Sequence, residues 1–397
     1  YLEKQGQGRL LAWKNAAAKG SPESMLLYAW CLYKGILLVK NQDEAFKWFF
    51  KSAELGNTYG MSWLGFCYFN GVGIGKDQKE AFKWFSKSAE LGNTNGMNRI
   101  GGCYLKGEGV AKDEKEAFKW FSKSAELGNT NGIIGIGGCY IKGEGVAKDE
   151  KEAFKWFSKS AELGNSGGMV YLGVCYFEGE GVAKDEKEAF KWFFKSADLG
   201  NAQGMFKVGR CYFDGEGVVK DNKEAFKWFS KSADLGNDYA LNFLAYNFYR
   251  TGLVVEKDLV KAFEYYEKAA NLGNKFAMIN LCDAYLEGNG VKKDEKKAFY
   301  WCKKAADLGF SIGLNQLGYV FYRTGLVVPR DGYKAFDLYM KAAEQGSTAA
   351  MVNLGASYED GFGATRDLSK AIYWYRQAAS QGRIEGKNAL NRLGYSE

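Results

Sequence analysis

The apolar positions of the chain follow two alternating patterns, and both have the period of an α-helix. Around Met97, apolar or small residues fall at Met97, Ile100, Gly101 and Tyr104, the i, i+3, i+4, i+7 spacing of one helix face. Because a mid-helix glycine costs about 1 kcal/mol relative to alanine, Gly101 on that face predicts a close helix crossing. The following segment has a wider apolar surface, formed by Ala117, Phe118, Trp120, Phe121 and Ala125. Such a helix needs neighbours on more than one side, so the pattern predicts helix pairs that stack on one another.

Polar residues and glycines mark the ends of these helices. Gly107 and Gly109 end the first helix of the pair, and Gly128 suits the left-handed position after the second. We expect Asp113, at the N-cap of the second helix, and Glu116 to bond reciprocally to free backbone N–H groups. Since the chain has only two prolines, its helices are seldom interrupted.

The helix pair is one unit of an internal repeat. The sequence Glu-Ala-Phe-Lys-Trp-Phe begins, at intervals of 36 residues, at Glu44, Glu80, Glu116, Glu152, Glu188 and Glu224. Looser versions follow at intervals of 37, 36, 37 and 36 residues, at Lys261, Lys297, Lys334 and Lys370. The spacing predicts one solenoid domain over residues 1–397, with ten repeats over 25–386 that start near 25, 61, 97, 133, 169, 205, 241, 278, 314 and 351. Residues 1–24 then hold a leftover second helix, and residues 387–397 hold a capping helix.

One complete unit resembles the Sel-one-like repeat, a branch of the tetratricopeptide superfamily. The resemblance is carried by Met61-Ser62-Trp63-Leu64-Gly65-Phe66-Cys67-Tyr68, Gly71-Val72-Gly73, Asp77, Ala81, Trp84-Phe85, Lys87-Ser88-Ala89 and Leu91-Gly92-Asn93. It implies an all-α fold, a right-handed superhelical α-solenoid of antiparallel helix pairs with 36–37 residues per repeat. It also implies a scaffold or adaptor that works through protein–protein interaction.

Composition and charge limit the kinds of catalytic site, metal site and partner that the chain can have. The chain has no histidine, which excludes a catalytic Cys–His or Ser–His pair within it and zinc sites of mixed Cys and His ligands. Its 54 basic and 47 acidic residues are interleaved rather than gathered, so we expect no nucleic-acid partner. No apolar run is long enough to span a membrane, so we expect no membrane insertion. We therefore predict a protein that is not an enzyme and has no cofactor and no metal site.

Cysteine occurs in strict register in the first helices, at Cys31, Cys67, Cys103, Cys139, Cys175 and Cys211. We interpret these as small buried side chains, because equivalent residues of adjacent repeats lie too far apart for disulfides. Cys282 and Cys302 break the register: where other repeats pair a glycine or alanine with a Phe or Tyr, this one pairs two cysteines. A compensated packing volume is the favoured interpretation, and a local disulfide is the alternative.

The compartment is predicted only weakly. Unpaired cysteines and the lack of a signal in this segment favour the cytoplasm, while an envelope or secreted location stays open. A chain that begins at Tyr1 rather than methionine indicates a piece of a longer protein.

The repeats differ most from one another at two first-helix positions, which lie four residues apart and so share a helix face. In tetratricopeptide-like solenoids such positions line the concave groove. The resemblance and the aromatic or arginine content therefore indicate a partner-binding groove formed by Trp63, Phe66, Arg99, Gly102, Gly138, Tyr171, Phe206, Arg210, Tyr246, Tyr249, Asp283, Tyr319 and Tyr322. Neutral drift on an exposed face is the alternative.

Three repeats carry apolar loops between their helices, at Ile36-Leu37-Leu38-Val39, Leu253-Val254-Val255 and Leu326-Val327-Val328. The last two lie in Tyr-Arg-Thr-Gly-Leu-Val-Val copies that are 73 residues apart, which indicates a two-repeat duplication. We interpret the apolar residues as local packing in a longer loop, with a homotypic edge contact as the alternative.

The function that these observations favour is a non-enzymatic scaffold that binds a peptide or a folded protein along the groove. The partner is another protein, and a homo-oligomer is compatible with the pattern. The alternative is an envelope-associated factor that positions or regulates a cell-wall or polysaccharide enzyme, or a host-interaction protein of an intracellular bacterium.

Overall fold

A computed structural model describes residues 2–395 of the chain, with side chains from residue 6 onward. The described residues form helices and loops and contain no β-strand. The helices alternate between two roles, so each repeat has a first and a second helix, as the sequence predicts. Within the described range the structure therefore confirms the all-α class and the helix-pair repeat.

The first helices of the ten repeats are Pro22–Lys34, Thr58–Asn70, Thr94–Lys106, Thr130–Lys142, Ser166–Glu178, Ala202–Asp214, Asp238–Leu244 continued by Ala245–Tyr249, Lys275–Glu287, Ser311–Gln316 continued by Leu317–Arg323, and Thr348–Asp360. The second helices are Gln42–Glu54, Gln78–Glu90, Glu114–Glu126, Glu150–Glu162, Glu186–Asp198, Asn222–Asp234, Leu259–Asn271, Glu295–Asp307, Gly332–Glu344 and Leu368–Ser380. Leu2–Ala18 precedes the first repeat, and Ile384–Arg392 follows the last.

The helices are grouped in two compact units. The first unit runs through Lys207 and includes Glu216–Val218. The second unit consists of Val208–Gly215 and everything from Val219 onward. In both units the main contacts join successive helices along the chain.

Buried apolar clusters join one repeat to the next. In the first unit, Ala117, Phe121 and Ala125 of a second helix cluster with Ile133, Ile136 and Cys139 of the following first helix. Equivalent clusters occur one repeat earlier and one repeat later. One helix pair cannot bury these side chains by itself, and this explains why the units stack.

The helix crossing predicted at Gly101 is present. A Cβ added to Gly101 would lie 2.7 Å from the ring of Phe121, which no real side chain tolerates. The same relation holds between Gly137 and Phe157, at 2.5 Å. Glycine at this position lets the aromatic ring of the second helix pack directly on the backbone of the first.

The N-cap predicted at Asp113 forms, but the reciprocal bond from Glu116 does not. The Asp113 carboxylate accepts from the backbone N–H groups of Lys115 and Glu116, both at 3.0 Å. The Asp113 N–H already donates to the Tyr104 carbonyl, at 2.9 Å. Because no free donor is left there, the Glu116 carboxylate instead pairs with Lys119, at 2.5 Å.

Polar side chains also connect successive repeats. The buried Ser124 hydroxyl donates to the Thr94 carbonyl of the preceding first helix, at 2.8 Å. Asn129 caps the next first helix and donates from its amide to the Thr94 hydroxyl, at 3.1 Å. These bonds satisfy buried polar groups at the junctions that have them, which accounts for the recurrence of Lys-Ser-Ala and Leu-Gly-Asn in the earlier repeats.

All eight cysteine side chains are buried, as expected for small core residues. Cys282 lies in a first helix and Cys302 in the second helix of the same repeat. The two thiols lie close to each other, and the Cys302 thiol donates to the Gly313 carbonyl at 3.7 Å. The pair fills the space that glycine and an aromatic ring share elsewhere, in agreement with the packing interpretation.

The extra residue of the 37-residue repeats lies in a helix and not in a loop, so the prediction of a longer loop is wrong. The N-cap Asn93 and the helix-ending Gly107 are 14 positions apart, whereas Asn237 and Gly252 are 15 apart. Ala245–Tyr249 and Leu317–Arg323 are π-helical, and their wider turn accommodates one additional residue.

The apolar loops instead contain the described part's positive-φ residues other than glycine. These are Leu37, Val254 and Val327, with φ of 60°, 69° and 68°. Most other repeats have a glycine here, such as Gly109 with φ of 76°. A left-handed β-branched residue is strained, so the two valines are held in place by their surroundings.

Candidate functional site

The solvent-facing side of the first helices, which we call the first-helix face, holds most of the residues predicted to bind a partner. In the second repeat this face carries an aromatic cluster. Trp63 stacks on Phe49 with ring centroids 5.4 Å apart and packs edge-on against Phe66 at 5.2 Å. Trp63 and Phe66 are each half-buried, so a contiguous apolar surface remains available to a partner.

Arg99 extends this cluster with a positive charge. Its guanidinium lies over the Phe66 ring, 5.7 Å from the centroid. The side chain is solvent-exposed, yet desolvation by surrounding protein lowers its pKa.

Two glycines form an open stretch beside this cluster. A Cβ added to Gly102 or Gly138 would meet no atom within 4 Å. Packing therefore does not require glycine at these positions, unlike the adjacent Gly101 and Gly137. Beyond them, Tyr171 is 48% exposed and stacks on Phe157 at 5.1 Å, while Phe206 is half-buried.

In the second unit the same face is more polar. Arg210 is exposed and forms an ion pair with Asp214, one helical turn later, at 2.7 Å. Its guanidinium also lies over the Phe243 ring at 5.5 Å. The positive charge of Arg210 therefore lies on this face, and Asp214 partly neutralises it.

Two tyrosines and an acid follow on consecutive repeats. Tyr246 is 45% exposed and Tyr319 is 51% exposed. Asp283 lies on the repeat between them and is half-buried. The Gln316 side-chain amide donates to the Asp283 carboxylate at 2.5 Å, while burial raises the pKa of that carboxyl.

Tyr249 and Tyr322 do not belong to the open face, and their placement there is a correction to the sequence prediction. Their carbonyls accept from Asp258 and Asp331, at 2.8 and 2.9 Å, as the Tyr104 carbonyl accepts from Asp113. They therefore occupy the interior position of Tyr104. Tyr249 is buried, and Tyr322 is half-buried. The counted register assumed an unbroken α-helix, whereas the π-helix shifts every later residue by one position.

The same shift hid residues that line the site. Arg250 lies over the Tyr246 ring at 5.1 Å, and Arg323 occupies the equivalent position 73 residues later. The signal was present as the two 37-residue intervals and the repeated Tyr-Arg-Thr-Gly. To use this signal, one must know that the extra residue is accommodated in the first helix of the repeat.

Two further depressions of the described residues lie between successive loops. Depressions of about 700 and 660 Å³ recur 36 residues apart between successive loops, and their lysines and acids already form ion pairs such as Lys148–Glu150 at 2.8 Å. Within residues 2–395 no group of acids and cysteines has the arrangement of a metal site. No helix in that range is long and apolar enough to cross a membrane.

Ten consecutive helix pairs of 36 or 37 residues define a helical repeat protein of the solenoid class. The model of the Sel1 repeat matches the chain ten times, at residues 22–57, 58–93, 94–129, 132–165, 166–201, 202–237, 238–274, 275–310, 311–347 and 348–382. The chain belongs to the Sel1 repeat family.

Solved structures support this assignment. A protective antigen of uropathogenic Escherichia coli with an SLR fold is 33% identical, with 97% of this chain and 82% of that chain covered and a TM-score of 0.55. A Sel1 repeat protein of Oxalobacter formigenes is 27% identical, with 78% and 89% covered and a TM-score of 0.50. No curated protein has significant sequence similarity to this chain. Repeat proteins of this kind generally mediate protein–protein interactions and are generally non-enzymatic scaffolds.

Proposed function

We propose that this chain is a non-enzymatic scaffold that binds a peptide or a folded protein along its first-helix face. The observation that supports this proposal best is the exposure of Tyr171, Tyr246 and Tyr319 on that face, at 48%, 45% and 51%. Large aromatic side chains in such positions expose apolar surface to water, and they are favoured anchors at protein interfaces.

The second helices present a contrasting surface. From Gln78–Glu90 to Asn222–Asp234 their exposed positions repeat one pattern, in which a lysine pairs with a glutamate, as in Lys119–Glu116, and another lysine lies over a tryptophan, as in Lys123–Trp120 at 4.5 Å. These side chains are already engaged with their own neighbours. Specific recognition is therefore better served by the first-helix face, where the repeats differ.

The proposal is tested by two substitutions on the first-helix face of the second unit. A partner is first identified by affinity capture with the purified chain and mass spectrometry, and its affinity is then measured directly. We expect Arg210→Glu and Tyr246→Ala each to weaken binding by about 30-fold or more, since interface anchors contribute at least about 2 kcal/mol. The melting temperature should stay unchanged, because exposed ion pairs such as Arg210–Asp214 contribute little to stability.

Tyr300→Ala is the matched control. Tyr300 is 55% exposed, like Tyr246, but it lies on a second helix. This variant should keep the affinity of the unmodified chain. Full affinity in both Arg210→Glu and Tyr246→Ala would remove the first-helix face from consideration.

A further inference from the structure

The two-repeat duplication in the second unit has produced two copies of one polar arrangement. In each copy an arginine at the end of the π-helical segment lies near a buried tyrosine of the second helix that follows: Arg250 with Tyr266, and Arg323 with Tyr339. The members of the two pairs are 73 residues apart. The later copy therefore serves as an internal reference for the earlier one.

In the later copy the charges are matched within the chain. Arg323 forms an ion pair with Asp360 and lies over the Phe362 ring at 5.0 Å. Its guanidinium also contacts the Ser357 hydroxyl at 3.5 Å. Ala356, four residues before Asp360, is uncharged. Asp360 and Arg323 are therefore the one acid and the one base of this arrangement.

In the earlier copy the charges are not matched. Glu287 takes the place of Asp360, and Asp283 takes the place of Ala356, which adds a second acid. Arg250 lies over Tyr246 instead, at 5.1 Å. Within the described chain no lysine or arginine lies within the 4.0 Å ion-pair distance of Asp283 or Glu287. The amides of Gln316 and Asn289 are the hydrogen-bond donors to these two acids.

A small cavity lies between these groups. It has a volume of about 20 Å³, and its polar lining comprises Arg250, Tyr266, Asn280, Asp283, Glu287 and Asn289. Tyr266 is 4% exposed and lies beside the Arg250 guanidinium, and its hydroxyl, like that of Tyr339 in the later copy, has no hydrogen-bond partner within 3.5 Å among the described residues. Burial raises the pKa of both Tyr266 and Asp283, so this carboxylate is poorly solvated. The cavity thus brings two carboxylates and a phenolic oxygen together around one small space, with Arg250 as its one cationic side chain.

A primary ammonium group fits this arrangement. It carries three N–H donors, no acceptor and one positive charge, which matches two carboxylates and a phenolic oxygen. A cavity of about 20 Å³ holds one water-sized group, whereas a guanidinium has four heavy atoms. The exposed Tyr246 and Tyr319 rings, on the two adjacent repeats, offer apolar surface to the methylenes of a lysine.

We propose that Asp283, Glu287 and the Tyr266 hydroxyl form a pocket for the ammonium group of a lysine side chain of the partner protein. The proposal rests on the proposed function, because it places one anchor of that partner on the first-helix face. Arg250 opposes the bound lysine, since both are positively charged. The pocket therefore has a distinctive signature: removal of Arg250 should strengthen binding, and removal of either acid should weaken it.

The test uses the full chain and a library of random peptides. Peptides that bind the purified chain are selected, synthesised, and measured with each lysine either free or acetylated, because acetylation removes the charge. We expect acetylation of one lysine to weaken binding to the unmodified chain about tenfold or more, the usual effect of losing a charged hydrogen bond. Asp283→Asn and Glu287→Gln should show a similar loss and become insensitive to acetylation, whereas Arg250→Gln should bind more tightly.

Asp360→Asn is the matched control, because it changes the acid equivalent to Glu287 in the later copy. It should keep both the affinity and the sensitivity to acetylation. Peptide binding that ignores lysine acetylation, or that survives both Asp283→Asn and Glu287→Gln, would overturn the pocket and leave the proposed function standing. Sensitivity to acetylation of the peptide amino terminus instead would overturn the assignment to lysine. If no peptide bound the unmodified chain, peptide binding and the pocket would both be rejected.

Discussion

At the scale of single residues, two adjacent glycines can look alike in the sequence and serve opposite purposes. Gly137 lies against the Phe157 ring, and a Cβ there would be 2.5 Å from it. Gly138 faces open space, with nothing within 4 Å of an added Cβ. The first glycine is required by the helix crossing, and the second leaves bare backbone on the first-helix face.

This difference predicts opposite effects of one substitution at neighbouring positions. Gly137→Ala should destabilise the protein by about 1–3 kcal/mol, since the added methyl group overpacks the crossing. Gly138→Ala should stabilise it by up to about 1 kcal/mol, because alanine favours the helix at no steric cost. Denaturant unfolding of both variants measures the free energies. Stabilisation by both, or destabilisation by both, would contradict the packing described for this crossing.

The sequence alone was sufficient for much of the residue-scale description. The buried glycine on the helix face predicted the close crossing at Gly101, and the strict register of the cysteines predicted their burial. Tyr249 and Tyr322 were misplaced because periodicity counts positions along an ideal helix. The acceptor cavity around Tyr266 escaped as well, since it depends on which side chains of two successive repeats meet.

At the scale of elements, the loops between the helices show how one position tolerates different residues. A Cβ added to Gly109 would lie 2.0 Å from the Gln78 carbonyl oxygen, so this loop touches the preceding second helix. Val254 and Val327 hold the equivalent position with φ of 69° and 68°. Since these valines have a Cβ, which the close approach at Gly109 would not allow, their loops must contact the preceding second helix with a different geometry. The sequence identified these loops as apolar but located the extra residue in them rather than in the helix.

The left-handed valine predicts a stabilising substitution. Val254→Gly should raise the free energy of unfolding by about 1 kcal/mol, because a left-handed conformation costs other residues roughly 1–2 kcal/mol and the partly exposed side chain repays little. The reverse change, Gly109→Val, should destabilise by more than that, since its Cβ would meet the Gln78 carbonyl. Thermal and denaturant unfolding compare the two. If Val254→Gly were destabilising, the side chain would be contributing packing that outweighs its backbone strain.

At the scale of the whole molecule, repetition multiplies local effects. The repeat length and the number of units followed directly from the sequence, because each repeat carries the same caps and the same apolar positions. The same repetition places five cysteines of the first unit, Cys31, Cys67, Cys103, Cys139 and Cys175, in equivalent buried positions. The last four have the most strongly raised pKa values, so a small effect at one of them is added four times.

The buried thiols predict that the first unit loses stability as the solution becomes alkaline. Burial raises the pKa of these last four cysteines from 9.0 to about 12, 11, 12 and 12 in chain order. Above pH 9 the unfolded chain releases thiol protons that the folded chain keeps, so the free energy of unfolding falls as pH rises. Four thiols together should remove about 4 kcal/mol between pH 9 and 10.

The measurement is denaturant unfolding under reducing conditions at pH 8, 9 and 10, for the unmodified chain and for a variant with Cys67→Ala, Cys103→Ala, Cys139→Ala and Cys175→Ala. The variant starts less stable, because four buried sulfurs leave small cavities, but its stability should change much less between pH 9 and 10. Tyrosines with raised pKa, such as Tyr68 and Tyr176, are common to both proteins and cancel in the comparison. An equal loss of stability in the two proteins would show that the thiols are not what couples this unit to pH.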